Sequence, residues 1–77
     1  MIDATSEILR CALRAIGRTL FEGERDDRTL AEAVARDDHL AHAQSHLHAH
    51  ADGLTDEDHL AHALTRLAME IVRREQK

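Results

Sequence analysis

Asp38-His39-Leu40-Ala41-His42-Ala43 returns as Asp58-His59-Leu60-Ala61-His62-Ala63. Each copy places a carboxylate and two imidazoles where one helix could present them together. Side chains three or four residues apart share a helical face, and neutral imidazoles on such a face can ligate a metal. His39, His42, His59 and His62 are therefore the candidate metal ligands. Nothing in the sequence requires a cofactor. If an ion binds, imidazole ligands suit a divalent transition metal such as zinc, with copper, nickel and iron as relatives.

The spacing also limits what the two copies can build. In an antiparallel hairpin turning at Gly53, His59 comes level with about His48. His42 then lies six residues further along, roughly 9 Å away at 1.5 Å per residue. The matching His-x-x-His pairs are expected to meet only across a two-fold dimer. His42, His46 and His50 offer further pairs along one helix.

Other reactive arrangements are absent. Cys11 has no histidine near it in sequence and reads as a packed thiol. Ser45 precedes His46 directly, and adjacent helical residues do not face each other. No glycine-rich phosphate loop occurs. With no complete catalytic set, the sequence points to binding rather than catalysis.

Three helices must position these residues. Helix 1 is expected from Asp3 to Leu20 or Phe21, with Asp3 or Thr5 as N-cap. Ile2, Leu9, Ala12, Leu13, Ile16 and Leu20 form its apolar stripe, with Glu7, Arg10, Arg14 and Arg18 opposite. Phe21 reads as a plug over the helix end or, if exposed, as an anchor for a partner. Gly23 fits a C′ residue, and Glu22, Glu24, Asp26 and Asp27 make the following loop acidic.

Helix 2 is expected from Thr29 to Ala51, opened by the Thr29-x-x-Glu32 capping spacing. Ala33, Leu40, Ala43, Leu47 and Ala51 form its inner stripe, and His39, His42, His46 and His50 its outer face. The weak point is Arg36-Asp37-Asp38, where adjacent aspartates favour a break. Asp52-Gly53-Leu54 is a tight connection. Helix 3 should follow Thr55 and span Asp56 to Glu75, with Leu60, Leu64, Leu67 and Ile71 as its stripe. Acidic residues in its first turn and Arg73, Arg74 and Lys77 at its end suit the helix dipole.

The fold class is thus all-α: residues 1–77 form a single domain, a small antiparallel three-helix bundle completed by homodimerisation. The chain has 77 residues, no proline and one aromatic, so its own core is limited. No apolar run approaches the roughly 20 residues that span a bilayer. One cysteine and no secretory signal predict a cytoplasmic protein. The formal charge of −5 disfavours direct nucleic-acid binding. An unperturbed histidine has a pKa of about 6.5, and protonating all seven here would raise that charge by seven, to +2.

Gly23-Glu24, the acidic stretch after it and His39-Leu40-Ala41-His42-Ala43 together resemble a small helical domain at the N-terminus of phage dATP/dGTP diphosphohydrolases, relatives of the all-helical nucleotide pyrophosphatases. The resemblance covers helix 1 through Leu47, about half the chain, and Glu57 through Met69 is similar to it again. It implies a phage-type origin and a helical fold. Those pyrophosphatases hold magnesium with Glu-x-x-Glu and Glu-x-x-Asp pairs. Here Glu24-x-x-Asp27 falls in a loop, and no Glu-x-x-Glu exists.

The favoured expectation is a non-enzymatic phage-type interaction protein. It would bind and inhibit or modulate a host protein or complex, such as a bacterial defence complex, in the host cytoplasm. Phe21, Glu22, Glu24, Asp26 and Asp27 are the candidate partner-binding residues, the acidic ones mimicking phosphate. The alternative is a metal-dependent nucleotide-binding or pyrophosphohydrolase-like protein using the repeated motif.

Overall fold

The computed structural model describes residues 3–23 and 29–76. The protein is all-α, with four helices among the described residues where the sequence suggested three: α1 (Ala4–Gly23), α2 (Leu30–Val34), α3 (His39–Ala51) and α4 (His59–Glu75). No strand occurs among the described residues, and no helix there is long and apolar enough to cross a membrane.

Asp3 opens α1, accepting from the Thr5 amide at 3.3 Å and the Ser6 hydroxyl at 3.2 Å. The helix includes Gly23 as its last residue, rather than ending before it. Phe21 lies in the last turn, 64 % exposed, and is not a core plug. Cys11 is exposed as well, its thiol 3.4 Å from Glu7 Oε1, rather than packed.

The expected single helix from Thr29 to Ala51 is broken in two. Thr29 Oγ1 accepts from the Glu32 amide at 3.1 Å and starts α2. The helix stops after Val34, and Asp38 takes the N-cap position of α3. The break falls at Arg36-Asp37-Asp38. Aspartate side chains compete for backbone donors and favour caps over helix interiors. Here the Asp38 carboxylate is drawn to Arg36 and to Arg66 of α4 instead.

The α3–α4 connection begins with a glycine-dependent stop. Gly53 adopts φ +79°. Its amide donates to His50 O and that of Leu54 to Ala49 O, both at 3.0 Å. These two bonds make a Schellman cap. Asp58, rather than Thr55, starts α4: its Oδ1 accepts from the Ala61 amide at 3.1 Å. Its Oδ2 receives Arg18 Nη2 at 2.8 Å, which ties α1 to the head of α4.

α4 is the central element. α1, α2 and α3 all pack on it, and among the described residues α2 and α3 meet each other only through side chains such as His39, while α1 packs on neither. The seam with α3 keeps Ala43 inside as expected but exchanges the expected places of histidine and leucine. His39 is fully buried and His59 is 8 % exposed, whereas Leu40 and Leu60 are 55 % and 50 % exposed. His39, His46 and His59 turn inward, while Leu40, Leu47 and Leu60 turn outward and His50 stays exposed. Inward histidines are tolerated because their ring nitrogens find partners; no buried side-chain nitrogen or oxygen among the described residues lacks one. Among the described residues the buried apolar ones are all alanines, Ala43, Ala61 and Ala63, and Ala43 and Ala63 let α3 and α4 approach closely.

Candidate metal centre

His46 is in the middle of α3, one turn after buried Ala43, and points across the seam. His59 is the first residue of α4, fixed by the Asp58 cap beside it. Glu57 lies in the connection just before that cap. His46 Nδ1 is 2.9 Å from His59 Nδ1. Glu57 Oε1 is 3.3 Å from the first and 3.4 Å from the second. The three residues together could hold a metal ion.

The two Glu57 separations match coordination, and the Nδ1–Nδ1 separation is shorter, at hydrogen-bond length. Bonds of about 2.0–2.1 Å around a tetrahedral zinc place neighbouring ligand atoms about 3.3 Å apart. Behind the group, His59 Nε2 donates to Asp56 Oδ1 at 2.8 Å. An ionised carboxylate only accepts, so the ring hydrogen of neutral His59 sits on Nε2 and its Nδ1 lone pair faces His46 and Glu57. Such a carboxylate behind a ligating histidine fixes its tautomer and raises its basicity. The same hydrogen bond holds the Asp56 carboxyl below the ordinary carboxylate range. Burial lowers the His46 pKa below the usual histidine value; Glu57 opposes this, and neighbouring His62, His59 and His42 reinforce it. A neutral imidazole is the ligating form.

The remaining histidines divide by surroundings. His62 lies against His46, ring centroids 5.1 Å apart, and widens the imidazole cluster. His42 Nε2 is 3.1 Å from Asp38 Oδ2. His39 has both nitrogens engaged: Nε2 donates to Val34 O at 3.1 Å, and Nδ1 accepts from Arg66 Nη1 at 3.2 Å. Facing a guanidinium, its lone pair points away from any cation site, and His39 acts as a buried strut between α2, α3 and α4. Asp38 joins this second cluster through Arg36, His42 and Arg66 Nη1, the last at 3.4 Å. Arg36 above all holds the Asp38 carboxyl down to a pKa of about 2.

Of the four histidines marked by the repeat, the structure brings His59 into the three-residue group and His62 beside it. It keeps His39 and His42 with Asp38. The group needs no dimer, because His59 meets His46 within one chain. The hairpin register expected His48 at this level, two residues away, and the inward turn of the histidine face selects His46. Glu57 carried no spacing signal at all. Among the candidate partner-binding residues, Phe21 and Glu22 are exposed on α1, and Glu24, Asp26 and Asp27 lie outside the described residues.

No family model, curated protein or solved structure matches the chain.

Proposed function

We propose that the chain is a small metal-binding helical protein. A divalent transition ion of the zinc type is held by His46 Nδ1, Glu57 Oε1 and His59 Nδ1, with water in the fourth position. The observation that carries this reading is the convergence of three ligand atoms on one point, with Asp56 behind His59. Without a cation, one proton between the two Nδ1 atoms can serve that pair but leaves Glu57 Oε1 facing a lone pair. A dication satisfies all three atoms.

The ion's part is structural. It joins the middle of α3 to the head of α4 in a chain whose buried apolar residues are alanines. Small domains with little core gain folding energy from such a staple. Hydrolytic chemistry at the open position would need a nearby base, and the neighbouring carboxylates are engaged: Asp56 with His59, and Asp38 with Arg36, His42 and Arg66.

The test is calorimetric titration of zinc into chain purified without a histidine tag, paired with melting curves. One equivalent per chain and a rise in Tm are expected. His46→Ala and His59→Ala should abolish both, while His50→Ala, an exposed histidine outside the group, should keep them. Absence of stoichiometric binding by the wild type would overturn the reading.

A second reading, a phage-type protein that binds a host macromolecule, is supported by Phe21, a large exposed aromatic beside Glu22 at the end of α1. The His-Leu-Ala-His-Ala resemblance adds the suggestion of a phage-type origin. Phe21→Ala and charge reversal of Asp26 with Asp27 test it; unchanged affinity for a captured host complex would remove this end of the molecule from the reading.

A further inference from the structure

We infer that His62 closes the proposed metal centre as its fourth ligand, displacing the water from that position. The closure rests on the metal-binding reading and operates only when an ion enters the His46–Glu57–His59 group. His62 follows His59 by three residues on α4, so both rings leave one face of that helix. His46 reaches across from α3 and lies against both. Its ring centroid is 5.2 Å from that of His59 and 5.1 Å from that of His62, with the planes inclined by 39° and 32°. Bonds of about 2.0–2.1 Å place each ring centre roughly 3.2 Å from a tetrahedral zinc, so two bound imidazoles stand about 5.2 Å apart. His62 thus keeps the separation from His46 that the ligand His59 keeps.

One movement is required. His62 is outside the group whose ligand atoms all lie within 4.8 Å of one another, so its ring must turn to bring a nitrogen onto the ion. The turn breaks no hydrogen bond. Among the described residues the half-buried His62 ring makes neither a hydrogen bond nor an ion pair, and its contact is with the ring of His46. His42, by contrast, is held by Asp38 at 3.1 Å.

Closure suits a structural ion. Structural zinc sites use four protein ligands, whereas catalytic ones keep a position for water. Three imidazoles and one carboxylate also select a zinc-type ion over magnesium and calcium, which take oxygen ligands.

The experiment is titration of cobalt(II), as a coloured substitute for zinc, into the full chain purified without a histidine tag, read by visible absorption with and without azide. The wild type is expected to bind one equivalent with tetrahedral-type bands that azide leaves unchanged. His62→Ala should still bind one equivalent, with bands that shift when azide enters the opened position. Its affinity should fall by at least about tenfold, the smallest loss that even an outer partner causes. His42→Ala should behave as the wild type does. Wild-type bands that shift with azide, or an unchanged affinity in His62→Ala, would overturn the closure and leave the three-residue site standing. No binding by the wild type, or binding that survives His46→Ala and His59→Ala, would instead overturn the metal centre and the closure with it. If His62→Ala does not fold, the wild-type response to azide alone decides.

Discussion

His46 Nδ1 and His59 Nδ1 face each other at 2.9 Å across the α3–α4 seam, with Glu57 Oε1 beside both. Two imidazoles that meet through the same ring nitrogen can share a proton or a cation. Asp56 decides which atom of His59 is offered, because its hydrogen bond at 2.8 Å keeps the ring hydrogen on Nε2.

Asp56→Asn should therefore weaken zinc binding without changing its stoichiometry. The amide oxygen can still accept from Nε2, but it lacks the charge that raises the basicity of His59. Loss of such an outer partner costs about 10–100-fold in metal affinity. Calorimetry on the variant reads this directly. An affinity equal to wild type would show that Asp56 is a bystander.

Acid should destabilise the chain through Asp38. Its folded pKa is lowered to about 2, chiefly by Arg36, below the unfolded value of about 3.9. A depressed carboxylate contributes stability that is fully present above the unfolded pKa and is lost as pH falls through the folded one. The loss belongs between about pH 4 and pH 2. Urea unfolding of Asp38→Ala should show lower stability at neutral pH and a flatter dependence across that window. Parallel curves for wild type and variant would contradict the assignment.

Helix type was legible from periodicity, as the Leu60–Ile71 stripe of α4 shows, whereas the Arg36-Asp37-Asp38 stretch was seen as a weak point inside one helix and is in fact the break before α3. Which side faced inward was not. An apolar stripe reads as the inner face when a chain is assumed to supply its own core. In this protein the imidazoles of His39 and His59 are buried because Val34, Arg66 and Asp56 satisfy them. Ala43 and Ala63 supply the close approach. The candidate site was legible by half for the same reason. His59 carried a motif, but His46 became its partner only once the histidine face turned inward. Glu57 sits outside regular structure, where spacing carries no geometric information.

Gly53 sets the turn that brings His46 and His59 together, and its substitution has a separable cost. With φ +79° it occupies the left-handed region, while an added Cβ would meet nothing within 4 Å. Gly53→Ala should thus pay backbone strain and no clash, about 1–2 kcal/mol. Gly53→Asn should lose less, since asparagine visits this region more readily. Urea midpoints at unchanged m report the difference. A fully tolerated alanine would mean the turn opens at little expense.

His39→Ala separates structural from metal-related histidines. The side chain is fully buried, donating to Val34 O and accepting from Arg66. Its removal leaves the Val34 carbonyl short of a donor and opens a cavity beside Arg66. Unsatisfied groups of this kind cost about 1–3 kcal/mol each, so a total loss of about 2–4 kcal/mol is expected. Zinc affinity of the folded fraction should be unchanged, because His39 contributes no atom to the His46–Glu57–His59 group. His59→Ala should lose metal binding, and with it the hydrogen bonds to Asp56 and His46 and the packing of a buried ring. Measuring both variants by calorimetry and urea unfolding tests the division between the two clusters. If His39→Ala abolished zinc binding while remaining folded, the ion would belong with Asp38 and His42, and the ligand set would have to be moved along the seam.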